Sequence, residues 1–533
     1  MVLRRSVQFL SFACFLVLVG FTVSPPVLPV PVDLFLRLDP AVFLSTLIAT
    51  RGVIPSMLAA AALLGLTAIF GRFFCSMVCP LGATIAAADR IVRTFAFKPR
   101  IRTGYLRVAK YFVLGFMAGA SLLGVTFAFL LAPIPIAERL YGLIAQPLVS
   151  WMLNEGLHLV RPLAERIGAG EIAYAGISLR TFSFQWLTLV FFAVLLMSSL
   201  LAPRFWCRYL CPAGAVLAIA SLKPFRRRVV GKGCTSCGLC SRKCPMDAIG
   251  DDPRATRHSE CIRCRGCTEI CPAGAVSFSS GYRDGQEGKA VSLDRRFIVL
   301  SGGSGMAAAL LALTGLKGLA AAGREVKQGG LVRPPAAVPE KEFLARCTGC
   351  GACMKVCPTN TLQPAGPASD FAGFLSPEIR PRKGPCEPTC TACGQVCPTG
   401  ALRPLSGEEK RYAKVGTAVI DRTRCIAWKD SSACLVCFEV CPYGAVDLDR
   451  VEGSLVAVPS VEKKRCNGCG FCENNCPIPG KSAVTVGPQD ALRLSSGSYR
   501  QKSRELGLFI EPKSVREEGK SDRKKELPPG FTE

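Results

Sequence analysis

Twenty-four cysteines fall into six groups, each closing in Cys-Pro. Four groups share the spacing C-x2-C-x2-C-x3-C-P: Cys234, Cys237, Cys240 and Cys244; Cys261, Cys264, Cys267 and Cys271; Cys347, Cys350, Cys353 and Cys357; and Cys466, Cys469, Cys472 and Cys476. Two are stretched. Cys386, Cys390, Cys393 and Cys397 open with three intervening residues, and Cys425, Cys434, Cys437 and Cys441 with eight. Two-residue gaps let three sulfurs curl around one compact inorganic core, and the fourth sulfur of such a run ligates the neighbouring core. Six runs therefore predict six [4Fe-4S] clusters and one-electron chemistry. Structural zinc is the competing use of thiolates, but it is normally built from two separated pairs, often with histidine. The chain has two histidines, neither inside a run.

Tight loops around a cluster need backbone that turns sharply and brings amides close to sulfur. Gly238, Gly266, Gly349, Gly351, Gly468 and Gly470 lie where that is required. By this spacing Cys271 completes the set of Cys234, Cys237 and Cys240, and Cys244 that of Cys261, Cys264 and Cys267. Short apolar stretches follow the Cys-Pro turns, at residues 275–278, 445–448 and 483–486, and suit the strands of α+β ferredoxin-like 2[4Fe-4S] units.

A second cysteine pattern is repeated. Gly71-Arg72-Phe73-Phe74-Cys75-x3-Cys79-Pro80-x-Gly82-Ala83 matches Pro203-Arg204-Phe205-Trp206-Cys207-x3-Cys211-Pro212-x-Gly214-Ala215, which suggests duplication of a two-helix unit. On a helix, cysteines four apart share a face. Cys75, Cys79, Cys207 and Cys211 are thus candidate redox thiols, a metal or cluster site, or packing residues beside tight turns. Cys14 stands alone in an apolar segment and reads as an ordinary apolar residue.

The elements that must position these groups are apolar. Half the residues are hydrophobic and mean hydropathy is +0.32. Segments 7–23, 53–71, 109–132 and 182–202 approach the length that crosses a bilayer. A signal peptide competes for the first, since Arg4-Arg5 precede it, but Pro-rich sequence follows without a small-residue cleavage site. Net charge is +26. A nucleic-acid footprint would cluster the basic residues with aromatics on a soluble domain. Here they flank apolar runs: residues 72–110 hold eight Lys/Arg and one acid, 203–232 hold seven and none, while 133–181 hold four of each. The positive-inside rule puts the N-terminus, residues 72–110 and the first two runs in the cytoplasm.

Asp294-Arg295-Arg296-Phe297 then precedes an apolar stretch from 298 to 316. It fits a twin-arginine export signal, a fifth crossing helix, or a buried helix of a soluble protein. The first two place everything after about residue 325 across the membrane, and Ala320-x-Ala322 offers a cleavage site. The expected organisation is multidomain. A four-helix membrane domain spans 1–230, a cytoplasmic 2[4Fe-4S] domain 231–280, and the signal or fifth helix 294–322. A linker covers 323–340, a periplasmic four-cluster domain 341–487 and a disordered tail 488–533. The fold class is an α-helical transmembrane bundle, four helices plus a fifth crossing, carrying α+β ferredoxin-like domains.

These motifs bear a resemblance. Residues 1–280 resemble the NapH-type membrane ferredoxins, with paired C-x3-C-P motifs and two cytoplasmic clusters. Residues 294–487 resemble the NapG type, through Leu331-Val332-Arg333-Pro334-Pro335, the Phe343-Leu344-x2-Cys347 entry, Cys425-Ile426-Ala427-Trp428 and the stretched middle runs. The chain is similar to an H-then-G fusion covering about nine-tenths of its length. The resemblance implies a multi-pass protein of the bacterial inner membrane that oxidises quinol from the membrane pool and passes electrons to a periplasmic acceptor, a reductase or cytochrome. It also implies that in the C-terminal half the first run pairs with the fourth and the second with the third. Related amine-dehydrogenase accessory and nitrous-oxide regulator proteins share the parts but serve other partners.

Two histidines cannot supply a bis-histidine haem pair, and no C-x2-C-H, Walker or Rossmann motif occurs. Haem, NAD(P)H and ATP chemistry and nucleic-acid binding are not expected; a bound quinone is. The quinol site itself is not identified by any motif. Glu155 and His158, within residues 151–166, could accept its protons, although the stretch also reads as a solvated amphipathic helix. Two other functions use the same parts: a maturation or regulatory factor acting through the C-x3-C-P thiols, and a conduit from a cytoplasmic ferredoxin.

Overall fold

The computed structural model describes residues 2–22, 31–95, 105–166, 168, 170–174, 176–177, 179–280, 295–323, 330–366, 371–451 and 456–513. A layer of helices carries a two-run cysteine domain on one face and a four-run cysteine domain on the other. The layer includes Val2–Gly20, Pro40–Thr50, Leu58–Phe70, Ala109–Leu122, Gln185–Met197 and Arg295–Gly323.

Both faces are fixed by polar contacts at helix ends. On the two-run side, Arg72 and Lys110 converge on Glu260, all three buried. Arg107 Nη2 lies 2.5 Å and Arg208 Nη2 3.3 Å from Asp247 Oδ2. Arg263 donates to the Phe70 carbonyl at 2.6 Å. On the opposite side, Ser56 Oγ donates to the Pro398 carbonyl at 2.6 Å, Thr126 Oγ1 to the Cys347 carbonyl at 2.8 Å and Asn360 Nδ2 to the Thr181 carbonyl at 2.8 Å. The helix after Ser56 thus runs from the four-run domain to the two-run domain, Ala109–Leu122 runs back, and Gln185–Met197 returns again.

Arg295–Gly323 runs parallel to Ala109–Leu122. Glycines let the two backbones touch: a Cβ at Gly115 would fall 2.0 Å from the Gly302 carbonyl oxygen, and one at Gly305 2.1 Å from that of Phe112. Close small-residue seams of this kind hold helices together where apolar burial gives little drive. Large apolar side chains face outward on the layer, including Leu10, 71 % exposed, Val194, 64 %, and Leu300, 68 %.

Three of the four expected spans, 53–71, 109–132 and 182–202, are shorter as helices than their apolar stretches, whereas 7–23 falls largely in Val2–Gly20. By length and apolarity only one described helix, Arg296–Thr314, could cross a membrane; Pro40–Thr50, Pro55–Phe70 and Gln185–Leu200 are apolar but shorter. Proline and left-handed backbone cut them: Pro55 opens one, Gly71 at φ 71° closes it, and Phe184 at φ 60° precedes the other. At 1.5 Å per residue, the sixteen-residue helices rise roughly 24 Å, under the roughly 30 Å of a hydrocarbon core. Of the Arg-Arg signal, Asp294 lies outside the described residues, and Ala320-x-Ala322 lies within the helix ending at Gly323.

In the two-run domain, Arg226–Val230 pairs antiparallel with Val276–Ser280, closing the ends of the cysteine segment on each other. The four-run domain has three such pairs: Leu362–Pro364 with Pro377–Ile379, Val446–Asp449 with Val458–Val461, and Thr417–Ile420 with Val484–Gly487. The strands expected after the Cys-Pro turns are present. Two expectations need correction. Residues 330–340, read as linker, are built into the four-run domain: Arg333 is buried over the Phe343 ring, and Ala337 bridges Leu402. The tail read as disordered is ordered to residue 513, because Tyr499 and Ile510 are buried and Arg493 Nη1 pairs with Glu340 Oε2 at 2.6 Å. The part from 514 to 533 lies outside the described residues.

Candidate iron–sulfur centres

The loops of the four regular runs share one backbone device. The residues on either side of the second cysteine are left-handed: Ser236 and Gly238, Arg263 and Arg265, Gly349 and Gly351, Gly468 and Gly470. The expected glycine at 266 does not carry this turn; Arg265, at φ 57°, does. Glycine is required where space is also short: a Cβ at Gly468 would meet Gly416 backbone at 2.6 Å.

Sulfurs from different runs share cavities. One cavity is lined by Cys386, Cys390, Cys393 and Cys357, a second by Cys466, Cys469, Cys472 and Cys441, and a third by Cys425, Cys434, Cys437 and Cys476. All three are small and alike, with cavity volumes of about 20, 20 and 30 Å³. In the two-run domain a cavity brings Cys244 to Cys261, Cys264 and Cys267. That exchange leaves Cys271 for Cys234, Cys237 and Cys240. Cys397 acts electrostatically on Cys347, Cys350 and Cys353. The C-terminal half therefore exchanges its first run with its second and its third with its fourth. This overturns the first-with-fourth, second-with-third pairing. The cause is local: hairpins Leu362–Ile379 and Val446–Val461 fold each consecutive pair of runs onto itself.

The donor sets fit thiolate-ligated clusters. In the third cavity every other lining side chain is apolar, among them Ile420, Ile426 and Val436. Amides turn to the fourth sulfur of several runs: Ala248 N donates to Cys244 Sγ at 3.3 Å, Ala445 N to Cys441 Sγ at 3.3 Å and Leu402 N to Cys397 Sγ at 3.5 Å. Burial, then the charges of Cys350, Cys347 and Cys397, push the Cys353 thiol well above its ordinary range; burial with Cys469, Cys466 and Cys441 does the same to Cys472. Four buried thiols ionise together only with a cationic core among them, which iron supplies.

The sets adjoin one another. Cys353 is an electrostatic neighbour of Cys393 in the next set, Cys386 N donates to the Cys469 carbonyl, and Cys472 neighbours Cys437. Basic side chains stand between or beside sets, and sequence reading missed them. Arg228 Nη2 lies 3.5 Å from Cys240 Sγ and also hydrogen-bonds Cys267, so it sits between the two sets of its domain. Lys410 acts on Cys386 and Cys393. Nothing in their spacing marks them.

The C-x3-C-P cysteines do not share a helical face. Cys75 lies in the short turn Phe74–Met77 and Cys79 just before Pro80 opens the helix Pro80–Phe95; Cys207 lies in the turn Trp206–Leu210 and Cys211 caps Pro212–Ala220. The two pairs nevertheless meet. Cys79 lies within electrostatic reach of Cys75 and Cys207, and Cys211 within reach of Cys207, Cys75 and Cys79. By contrast, Glu155 and His158 sit on the helix Gln146–Arg166, where His158 Nδ1 is 3.2 Å from Arg161 Nη1, and they are not gathered with the cysteines. Cys14 is exposed.

Comparison with known proteins agrees with the geometry. A 4Fe-4S dicluster domain family matches residues 227–272, another 4Fe-4S dicluster domain family matches 346–401, and a 4Fe-4S binding domain family matches twice, at 53–98 and 184–232. The chain is similar to the methylamine utilization ferredoxin-type protein MauM of Paracoccus denitrificans, 39% identical over 164 residues, covering 30% of this chain and 72% of the relative. It is similar to the ferredoxin-type protein NapG of Haemophilus influenzae, 30% identical over 36% of this chain and 71% of the relative. YccM of Escherichia coli, an electron transport protein by name, is 29% identical over 43% of this chain and 58% of its own length.

Proposed function

The chain belongs to the NapG/MauM-type 4Fe-4S ferredoxin family, and from that premise we propose that it is a membrane-bound quinol-oxidising electron carrier holding six [4Fe-4S] clusters. It is an iron–sulfur electron-transfer protein of the ferredoxin type. When bound, each cluster supplies a one-electron couple. The chain's own contribution is to set the ligand groups at short intervals, bury or half-bury every ligand cysteine but Cys237, and place cations beside them.

The observation that carries the reading is the placement of two contiguous cysteine domains on opposite faces of one helical layer. Its outward apolar side chains suit lipid, and the glycine seam between Gly115 and Gly302 is membrane-type packing. With Arg72, Arg107, Lys110, Arg208 and Arg228 at the two-run face, that domain is cytoplasmic and the four-run domain periplasmic. Quinol gives its electrons at the membrane, and a periplasmic reductase or cytochrome takes them from the four-run domain. Purified protein in proteoliposomes, titrated anaerobically with ubiquinol and menaquinol, tests this. Cluster bleaching is expected with at least one; none with either would end the quinol assignment.

A second reading is favoured by one feature. Cys237 is exposed, so the set of Cys234, Cys237, Cys240 and Cys271 lies where a soluble donor could reach it. A cytoplasmic ferredoxin would then supply the electrons. Cluster reduction by ferredoxin but not by quinol selects this reading. A maturation or regulatory role through the C-x3-C-P thiols has no comparable support in the geometry.

A further inference from the structure

We propose that Cys75, Cys79, Cys207 and Cys211 together hold a seventh iron–sulfur cluster, and that it links the two-run domain to the four-run domain. The inference rests on the electron-transfer reading above. Each matched 4Fe-4S binding segment brings only one pair of thiols, so neither copy makes a four-thiol site alone. The site exists because the two repeats face each other.

The first support is the environment of the sulfurs. Gly82 N donates to Cys79 Sγ at 3.4 Å, and Gly214 N to Cys211 Sγ at 3.3 Å, equivalent positions in the two repeats. These match the amide–sulfur bonds of Cys244 and Cys441 in the cluster runs. Pro80–Phe95 and Pro212–Ala220 each begin directly after one of these cysteines, so the two repeats present their second thiol in the same way.

The second support is an unanswered cation. Arg72 is fully buried; its Nη1 is met by Glu260 Oε2 and the Ser259 carbonyl, each at 3.1 Å. Neither Nε nor Nη2 has a hydrogen-bond partner among the described residues. Cys75 and Cys211, one from each repeat, are the thiols acting on this guanidinium. A buried donor pair without an acceptor costs stability unless an anionic guest meets it. A thiolate-bound cluster is such a guest. Arg204, its counterpart, donates to the Cys75 carbonyl at 3.2 Å, so each arginine serves the opposite repeat.

The third support is position. Cys75 and Cys207 pack against Met246, Ala248 and Ile262 in the same group as Cys244, Cys261 and Cys264. On the other side, one apolar core contains the four thiols, Phe127, Phe129 and Ile134, and reaches Cys350, Cys353 and Cys390 of the four-run domain. Asp39, the acidic neighbour of Cys79, accepts from Ile134 N at 3.1 Å and fixes that core across the layer. Transfer through the site makes and breaks no bond: one electron leaves a cluster of the two-run domain, reduces this centre, and passes on to the Cys347, Cys350, Cys353 and Cys397 set.

The test uses the full chain, purified anaerobically, against the double variant Cys75→Ser, Cys207→Ser. Wild type should hold about twenty-eight irons, and the variant about four fewer with matching sulfide, its remaining paramagnetic signals unchanged. An equal iron content in both, or zinc or copper in place of the lost iron, overturns the proposal. The absolute count near or far below about twenty-four judges the six-cluster reading separately. In proteoliposomes with a membrane-impermeant reductant outside and ferricyanide trapped inside, wild type should pass electrons and the variant at least tenfold more slowly; undiminished transfer overturns the link. Arg72→Gln keeps all four ligands: one centre should become harder to reduce with iron content unchanged, and potentials unmoved at every centre would overturn the assignment.

Discussion

The backbone N–H of Cys386 donates to the carbonyl of Cys469 at 2.7 Å. The bond joins two ligand loops from different exchanged pairs, and Tyr443 is buried near both. The four sets of the C-terminal domain therefore form one series, with the Cys425, Cys434, Cys437 and Cys476 set at its far end from the helical layer. Exposed Leu435 and Phe438 lie beside that last set, and the acceptor is expected to meet the chain there.

Ligand exchange between neighbouring runs gives a pairing test. Cys357→Ser and Cys390→Ser should remove the same low-temperature paramagnetic signal and about four irons each. Cys357→Ser and Cys350→Ser should remove different ones, although Cys350 belongs to the same run. Matching losses for the second pair would refute the exchange.

Arg228 stands between the two sets of its domain. Reduction adds negative charge, which the guanidinium favours, so Arg228→Met should lower the potentials of both centres. A shift of roughly 60 mV is expected, a tenfold change for a one-electron couple. Potentiometric titration of the full chain reads it; a shift confined to one centre would place Arg228 elsewhere.

The seam between helices leaves no room for side chains. Gly115→Leu should destabilise the protein by about 1–3 kcal/mol, since overpacking a tight contact costs that much. Gly65→Leu, where a Cβ has nothing within 4 Å, should be near neutral. Thermal unfolding in detergent compares the two.

Glu340 fastens the start of the four-run domain. Burial works to raise its pKa, but the hydrogen bond and charge of Arg333, with Arg493, outweigh it and hold the carboxyl below its ordinary value. A depressed folded-state pKa adds stability above the unfolded pKa of about 4.3 and loses it as pH falls through the folded value. The stability difference between wild type and Glu340→Gln should therefore shrink as pH is lowered from 6 towards about 3. Glu340 is only partly buried, so the effect is modest.

The cysteine loops were legible because ligand spacing is short-range and each Cys-Pro turn is encoded within a few residues. The exchange inside 231–280 was legible for the same reason. Pairing in the C-terminal half was not, since it depends on the hairpins Leu362–Ile379 and Val446–Val461, whose strands are only three or four residues each. The buried cations were hidden too: Arg228, Lys410 and Arg333 look like surface charge in a chain with 65 Lys and Arg. Arg72 was visible only as one aligned letter of the repeat. Apolar segments overstated helix length because hydropathy does not register Pro55, Gly71 or the left-handed Phe184.

The four-run domain is gripped by hydrogen bonds at three separate places in the first two hundred residues: Ser56, Thr126 and the segment holding Thr181 and Ser183. The covalent connection that follows Arg295–Gly323 is thus a redundant leash. A peptidase that severed residues 324–329 would produce two fragments that stay clasped and sediment as one particle, and the halves supplied as separate polypeptides would find each other without it.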